Sequence, residues 1–431
     1  MGVFSAIAFG IGGMVGAGVF ALSGEIVLKA NIFSILVLIL AGTISLSTGI
    51  VYGIFSKYVI SSGGGYSYVN SVYPNLLGFL TGWLFFLAYS FAGAFYVGVF
   101  GRYLEIITGV PFIIYGIALV VAFNTINFFG IKESSVVESI FTSVKVSIII
   151  FFILLGLSNF NLKIFEAKAC SVATPSVLTI IVLSATIFIA FEGFDIISTL
   201  SQEMKDPNRD VIRSIIASIV IVTTIYILVA TVELLALESG AIPANVSPEE
   251  VILYAAYNYL KSFGYYLIVI GAIISTVSAY NATLVAVSRL IFSMSSDSYL
   301  PKFLNFVHEE SGTPRMAIIT SSILISSIIT MQYFITDPER ISVFLGQLAS
   351  FAFALAFTIV NLAFLKVEKV TGGEKLAMYK IFAIYAIIFT SILCIILVIE
   401  NILSATITMV LIFVGVMLYS KKTRNNVYSG G

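Results

Sequence analysis

Apolar residues run through this chain in long blocks separated by short polar connections, and the blocks, not any alternation of single residues, set the expected structure. A helix needs about 20 apolar residues to cross the hydrocarbon core of a bilayer. On that measure about twelve segments qualify: residues 3–28, 32–55, 77–106, 111–129, 136–157, 177–201, 212–237, 265–293, 316–334, 343–365, 378–399 and 402–419. Two connections are long. Residues 61–74 include Gly63, Gly64 and Gly65 and suit a flexible turn. Residues 239–263 hold Pro243, Pro248 and an apolar run from 251 to 260, which fits a short helix across one mouth of the bundle or a surface loop equally well.

Two of the apolar segments are interrupted near their middles. In the first, Gly12, Gly13, Gly16 and Gly18 fall within seven positions, Gly12-Gly13-Met14-Val15-Gly16-Ala17-Gly18. Each glycine costs roughly 1 kcal/mol relative to alanine inside a helix, so the helix is expected to break there. Unwound backbone at membrane depth must line a polar cavity or bind something. In the sixth segment, Ala190-Phe191-Glu192-Gly193-Phe194-Asp195 sets two carboxylates and a glycine in an apolar run. An aspartate at the helix centre costs about 2.5–3.5 kcal/mol on insertion scales, so both acids need polar partners. Asp195 reads as a structural carboxylate bonded to freed backbone; Glu192 is balanced between that and substrate contact.

Interrupted helices at the first position of each of two five-helix units are the sequence mark of an inverted repeat, with a binding site at the paired breaks. The expected units are residues 1–158 and 175–365, followed by two peripheral helices within 376–420. Half-helix N-termini offer N–H donors to a carboxylate, while unwound carbonyls accept from an ammonium or coordinate a cation.

A third polar feature is Lys145, inside the fifth segment. Membrane lysines commonly snorkel to an interface. The alternative is that Lys145 faces the bundle, where desolvation makes gain and loss of its proton accessible and suits it to coupling a proton gradient to transport.

Composition narrows the class without altering this picture. The 431 residues are 59% hydrophobic and 10% charged, against about 25% charged in soluble domains, which excludes a single soluble core. Net charge is zero and His308 is the sole histidine, so nothing points to nucleic acid or to a histidine metal centre. Cys170 and Cys394 are far apart and read as free thiols. With the C-terminus cytoplasmic, fifteen of the 22 Lys and Arg fall inside and six fall outside or at outer ends, which places both termini in the cytoplasm. The first segment lacks a basic leader and a cleavage site, so it reads as a membrane helix. Its start at Met1 leaves almost no arm, an arrangement expected of a shortened N-terminus.

The chain resembles the amino acid, polyamine and organocation transporter superfamily over essentially its whole length. The motifs that carry the likeness are Gly16-Ala17-Gly18-Val19-Phe20; Ala190 to Asp195 followed by Glu203-Met204-Lys205-Asp206-Pro207-Asn208-Arg209; and Ser288-Arg289-Leu290 with Ser296-Asp297-Ser298-Tyr299-Leu300-Pro301. The resemblance implies an all-α integral membrane protein with a LeuT-like five-plus-five inverted-repeat core, helices one and six broken, and two peripheral helices. It also implies that backbone of the first break holds a substrate carboxylate and carbonyls of both breaks hold its amine. The expected substrate-binding residues are therefore Met14, Val15, Gly16, Ala17 and Gly18 with Ala190, Phe191, Glu192 and Phe194. Val15 to Gly18 are expected to supply the N–H groups.

Among prokaryotic and archaeal proton-coupled members, a lysine of helix five takes the place of the sodium ion of sodium-coupled relatives. Lys145 matches that position, with the Gly12 carbonyl and Ser278, in Ser278-Ala279-Tyr280-Asn281-Ala282-Thr283, as its expected neighbours. The expectation is a proton-coupled amino acid symporter of the cytoplasmic membrane, without cofactor or bound metal and with the proton preferred over sodium. An amino acid or polyamine exchanger of the same fold is the runner-up, followed by a non-transporting amino acid sensor. One loop histidine and the lack of a nucleophile beside a base argue against an enzyme. Phe191 and Phe194 flank the second break and are expected gates. Tyr89 and Phe95 line the pocket or pack the core.

Overall fold

The structure, a computed structural model, describes residues 1–158, 174–243, 245–246, 248–309, 312–335, 338–372 and 376–428. Lys163, Lys168, Cys170 and Lys375, which enter the charge and cysteine readings, lie outside the described residues. The first apolar segment divides into α1 (Val3–Met14) and α2 (Ala17–Ala30), followed by α3 (Ser34–Phe55), α4 (Gly65–Val72), α5 (Leu76–Thr108), α6 (Phe112–Phe129) and α7 (Ile131–Ser158). The sixth divides into α8 (Val177–Phe188) and α9 (Ile196–Thr199); then come α10 (Pro207–Glu238), α11 (Pro248–Ser296), α12 (Arg315–Ile335), α13 (Pro338–Phe364), α14 (Ala377–Glu400) and α15 (Ile402–Tyr428).

The protein is a multi-pass membrane protein. Among the described residues nine stretches are long and apolar enough to cross a bilayer; of three shorter apolar helices, Val3–Met14 and Val177–Phe188 are the leading halves of the two broken ones, and the third is Arg315–Met331. Outward positions of α6, α14 and α15, such as Val121, Ile395 and Phe413, stay exposed, as suits side chains facing lipid. Inside, helices approach through small residues, which is how membrane helices pack where hydrocarbon gives no hydrophobic drive. Gly42, Gly49 and Gly53 form one edge of α3 against α10: an added Cβ would lie 2.7 Å from Thr223, 2.7 Å from Ile219 and in collision with Ile212.

Both long connections have more structure than a loop. Residues 61–74, read as a flexible turn, contain the buried helix α4, started by Gly64 at φ 52. Its apolar face, with Tyr66, Tyr68 and Val69 fully buried, outweighs the glycine signal that precedes it. The run from 251 to 260 is helical, and the backbone turns sharply at Lys261 (φ 55, ψ −144) before the rest of α11. This short helix packs on α2, where Gly24 leaves room for Val251.

Four other contacts position the site. Arg289 of α11 donates to Glu203 at 2.8 Å, and the Met1 amine donates to the Glu203 carbonyl at 2.5 Å, so the ends of α1, α9 and α11 meet at one end of the bundle. Trp83 donates to the Leu411 carbonyl at 2.8 Å and Asn401 to Gln347 at 2.5 Å, which fasten α15 to α5 and α13.

The two breaks touch. Gly193 sits at φ 122, and a Cβ there would lie 2.7 Å from the carbonyl carbon of Gly13; one on Gly13 would lie 3.1 Å from the Gly193 Cα. Gly193→Ala therefore adds both a forbidden φ and a backbone collision, for about 1–3 kcal/mol of destabilisation. The expected outcome is a lower Tm in detergent; an unchanged Tm would contradict the close contact.

Candidate functional site

At the first break α1 ends at Met14, Val15 takes φ −81 and ψ 66, and α2 opens after Gly16. In a continuous helix the Gly12 carbonyl would accept from Gly16 N–H. Here Gly16 N–H turns to the Met14 carbonyl at 2.9 Å, which releases the Gly12 carbonyl. Lys145 of α7 fills that vacancy. Its Nζ donates to the Gly12 carbonyl at 3.0 Å, the Val15 carbonyl at 2.8 Å and the Ser278 hydroxyl at 2.9 Å, and the residue is completely buried. An ammonium has three N–H donors and no acceptor, so all three are used. Snorkelling to an interface is incompatible with this placement.

Behind Lys145 lies Glu138, also completely buried, two turns nearer the start of α7. The Ser278 hydroxyl donates to Glu138 Oε1, Thr142 donates to the same oxygen at 3.2 Å, and Asn281 donates to Oε2 at 2.8 Å. The carboxylate lies where a Cβ on Gly12 would have to be. Gly12, still helical within α1, is thus glycine because it leaves the volume that Glu138 occupies.

At the second break α8 passes through a 3-10 turn, Ile189–Phe191, to Glu192 and Gly193. Asp195 accepts from Gly193 N–H at 3.2 Å and from the Tyr89 hydroxyl, the backbone role expected of it with a tyrosine added. Glu192 is 8% exposed and its Oε1 is buried with no hydrogen-bond partner. A buried carboxylate oxygen left unpaired is costly, which marks it as awaiting a donor.

Tyr226 of α10 joins the two breaks. Its hydroxyl lies 2.8 Å from the Met14 carbonyl oxygen and 2.8 Å from the Ala190 carbonyl oxygen. One hydroxyl hydrogen cannot satisfy two acceptors in full, so the two carbonyls converge on a point that would suit a donor with more hydrogens. Phe191 packs edge-on against Tyr226, with ring centroids 5.2 Å apart, and is fully buried.

The structure brings the named site residues together as follows. Lys145, Gly12, Val15 and Ser278 form one cluster; Met14 and Ala190 meet at Tyr226; and Gly18 packs on Ala190, where an added Cβ would lie 2.8 Å from the alanine's own. Gly16 faces Tyr96 of α5. Phe194 enters an aromatic group, stacked on Phe357 at 5.5 Å and edge-on to Tyr52 at 5.8 Å. Phe95 packs beside Tyr96 at 5.3 Å. The N–H expectation needs correction: Val15 N–H donates to Ile11 and Gly16 N–H to Met14, because the chain turns tightly before α2 begins. The donors without an intrahelical partner are those of the first turn of α2, from Ala17 and Gly18 onward.

Glu138, Asn281 and Tyr226 did not emerge as site residues from the sequence. Glu138 had a usable signal, a carboxylate seven residues before Lys145 and hence on the same helix face. It falls so near the start of the apolar segment that it resembles an interface residue. Tyr226 is one of 22 tyrosines and carries no local mark.

Gly12→Ala should displace the Glu138 carboxylate from its partners and destabilise the protein by about 1–3 kcal/mol. Because the collision is with Glu138, the loss of Tm should be clearly smaller in a Glu138→Ala background. Equal losses in both backgrounds would contradict this role for Gly12.

The chain is 25% identical over 402 residues to the branched-chain amino acid permease BcaP of Bacillus subtilis, covering 86% of this chain and 81% of that protein. It is 27% identical over 389 residues to the serine/threonine exchanger SteT of the same organism, covering 88% and 85%. A solved structure of a Na+-coupled sialic acid symporter, substrate-bound and outward-open, shares the fold at a TM-score of 0.58 and 12% identity, over 91% of this chain and 89% of that one. The amino acid permease profile matches residues 5–421, and the chain belongs to that family, within the amino acid, polyamine and organocation superfamily.

Proposed function

We propose that the chain is a secondary active transporter of amino acids in the cytoplasmic membrane, working by alternating access and coupled to proton entry. The observation that carries the reading is the convergence of the Met14 and Ala190 carbonyls on the single hydroxyl of Tyr226. An α-ammonium entering there has enough hydrogens for both oxygens and takes over from Tyr226. The α-carboxylate then lies toward the first turn of α2, where unpaired N–H groups and the positive end of the helix dipole favour a negative charge. The names of the relatives support the same reading.

The Lys145 ammonium holds the carbonyls of the first break much as a cation would, which supports the proton over sodium as coupling ion. With Lys145 charged, α7, α11 and the break are tied together. Loss of its proton removes one of three donors and loosens the tie, giving protonation a direct hold on the relative placement of the two halves. On this reading units 1–158 and 175–365 move against each other, residues 376–420 remain peripheral, and the end bearing Met1 and Arg289 faces the cytoplasm.

Glu192 favours substrates with a second amine, because its buried Oε1 is unpartnered and it follows Ala190 by two residues on the second break. Exchange by the same route is the second reading, supported by the likeness to SteT.

Uptake of labelled alanine, lysine and glutamate into proteoliposomes tests these assignments. Uptake should follow an imposed pH gradient and fall in Lys145→Ala by about 5- to 150-fold, the span of a coupling free energy of ~1–3 kcal/mol. Sodium-driven uptake indifferent to pH would overturn the proton reading. Glu192→Gln should lower lysine uptake relative to alanine; unchanged selectivity would remove Glu192 from the substrate site.

A further inference from the structure

The buried groups around Lys145 continue past it. From the break the hydrogen bonds run Lys145 Nζ to Ser278 Oγ, Ser278 Oγ to Glu138 Oε1, Asn281 Nδ2 to Glu138 Oε2, and then Asn127 Nδ2 and Ser134 Oγ to Asn281 Oδ1 at 3.1 and 3.2 Å. Each step leads toward the end of the bundle that carries Met1. Glu138 and Ser134 lie nearer the start of α7 than Lys145, and Asn281 lies further along α11 toward Arg289, which meets Glu203 beside the Met1 amine. Over seven residues of helix the displacement is about 10 Å.

We propose that Glu138 is the second proton site of this protein, taking the proton from Lys145 through the Ser278 hydroxyl and releasing it toward the Met1 end. The proposal rests on the proton-coupled reading of Lys145. In the transfer an N–H bond of the ammonium breaks as Ser278 Oγ takes that proton. The original O–H bond of Ser278 breaks as its proton forms the new bond to Glu138 Oε1. The products are a neutral amine, an unchanged serine hydroxyl and a neutral carboxylic acid, so charge and atoms balance.

Counting donors favours this order over direct loss from Lys145. With the amine charged and Glu138 ionised, Ser278 accepts from one and donates to the other. With both neutral, the same hydroxyl turns round, donating to the amine lone pair and accepting from the carboxylic acid, and again nothing is unpaired. With the amine neutral and Glu138 still ionised, two acceptors compete for one hydroxyl hydrogen. A buried acceptor left short is costly, so the neutral pair is the state through which the proton leaves.

The elements packed on Glu138 keep this exchange private. α1 presents Gly12, which has no side chain; α11 presents Ser278 and Asn281; α7 itself presents Thr142 and Lys145. Lys145 is the one charged group acting on Glu138 among the described residues. Glu138 and Ser134 are fully buried, so release waits on opening of the Met1 end, which ties proton exit to the conformational cycle.

The test uses the full chain in proteoliposomes, with whichever of labelled alanine, lysine or glutamate the wild type takes up under a pH gradient. Glu138→Gln and Ser278→Ala should each lower gradient-driven accumulation about tenfold or more. Glu138→Asp, which keeps the carboxyl, should recover accumulation with a shifted pH midpoint. Infrared difference spectra of the wild type across that midpoint should show a protonated-carboxyl band that Glu138→Gln lacks and Glu138→Asp moves. Should Glu138→Gln fail to fold, the midpoint and the band in Glu138→Asp decide the matter. If accumulation is lost in Lys145→Ala but intact in Glu138→Gln, or the band survives in Glu138→Gln, the Glu138 assignment falls and proton coupling stands. If the wild type shows no gradient-driven accumulation at all, the coupling reading itself falls and Glu138 with it.

Discussion

Hydrocarbon offers no hydrogen bonds, so each backbone group freed by breaking a membrane helix must find a partner within the protein. That demand organises the centre of this molecule. The break at Val15 and Gly16 frees carbonyls that are met by an ammonium from α7 and a tyrosine hydroxyl from α10. The break at Glu192 and Gly193 is met by the Asp195 side chain and the same tyrosine. Partners of this kind can be exchanged for a ligand or altered by a proton, as a helical hydrogen bond cannot. On the proposed mechanism this structural necessity doubles as the handle by which substrate and coupling ion act.

Close approach is the second condition. Gly13 and Gly193 bring the two unwound segments into backbone contact, Gly18 lets α2 rest on Ala190, and Gly12 admits the Glu138 carboxylate. Each of the four glycines of the first cluster faces a different neighbour, so they are not interchangeable sources of flexibility. Movement at either break must be felt at the other, and the charge state of the Lys145 and Glu138 pair bears on the same few residues.

Much of the fold was legible because its signals are long-range in the chain and simple in physics. Apolar blocks fix the spanning helices, and glycine clusters and acids at matched positions fix the breaks. Lys145, expensive in a membrane unless partnered, left an interface and an interior position open, and the family resemblance favoured the interior. What the sequence left open depended on packing between distant segments. Residues 61–74 look like a glycine loop until Tyr66, Tyr68 and Val69 are seen to bury one face of α4. The N–H groups of Val15 and Gly16 look available until the chain is seen to turn them back on Ile11 and Met14. Glu138 passes for an interface acid because its partners, Ser278 and Asn281, lie about 140 residues away. Tyr226 reaches two carbonyls that no spacing rule relates to it.

The proposed coupling requires that a proton carried at Lys145 move with the substrate. The most direct measurement records internal pH, with an entrapped dye, as an amino acid enters wild-type proteoliposomes that begin with no gradient. A proton moving with the substrate acidifies the interior in step with amino acid entry. Amino acid entry with no change of internal pH would contradict the claim.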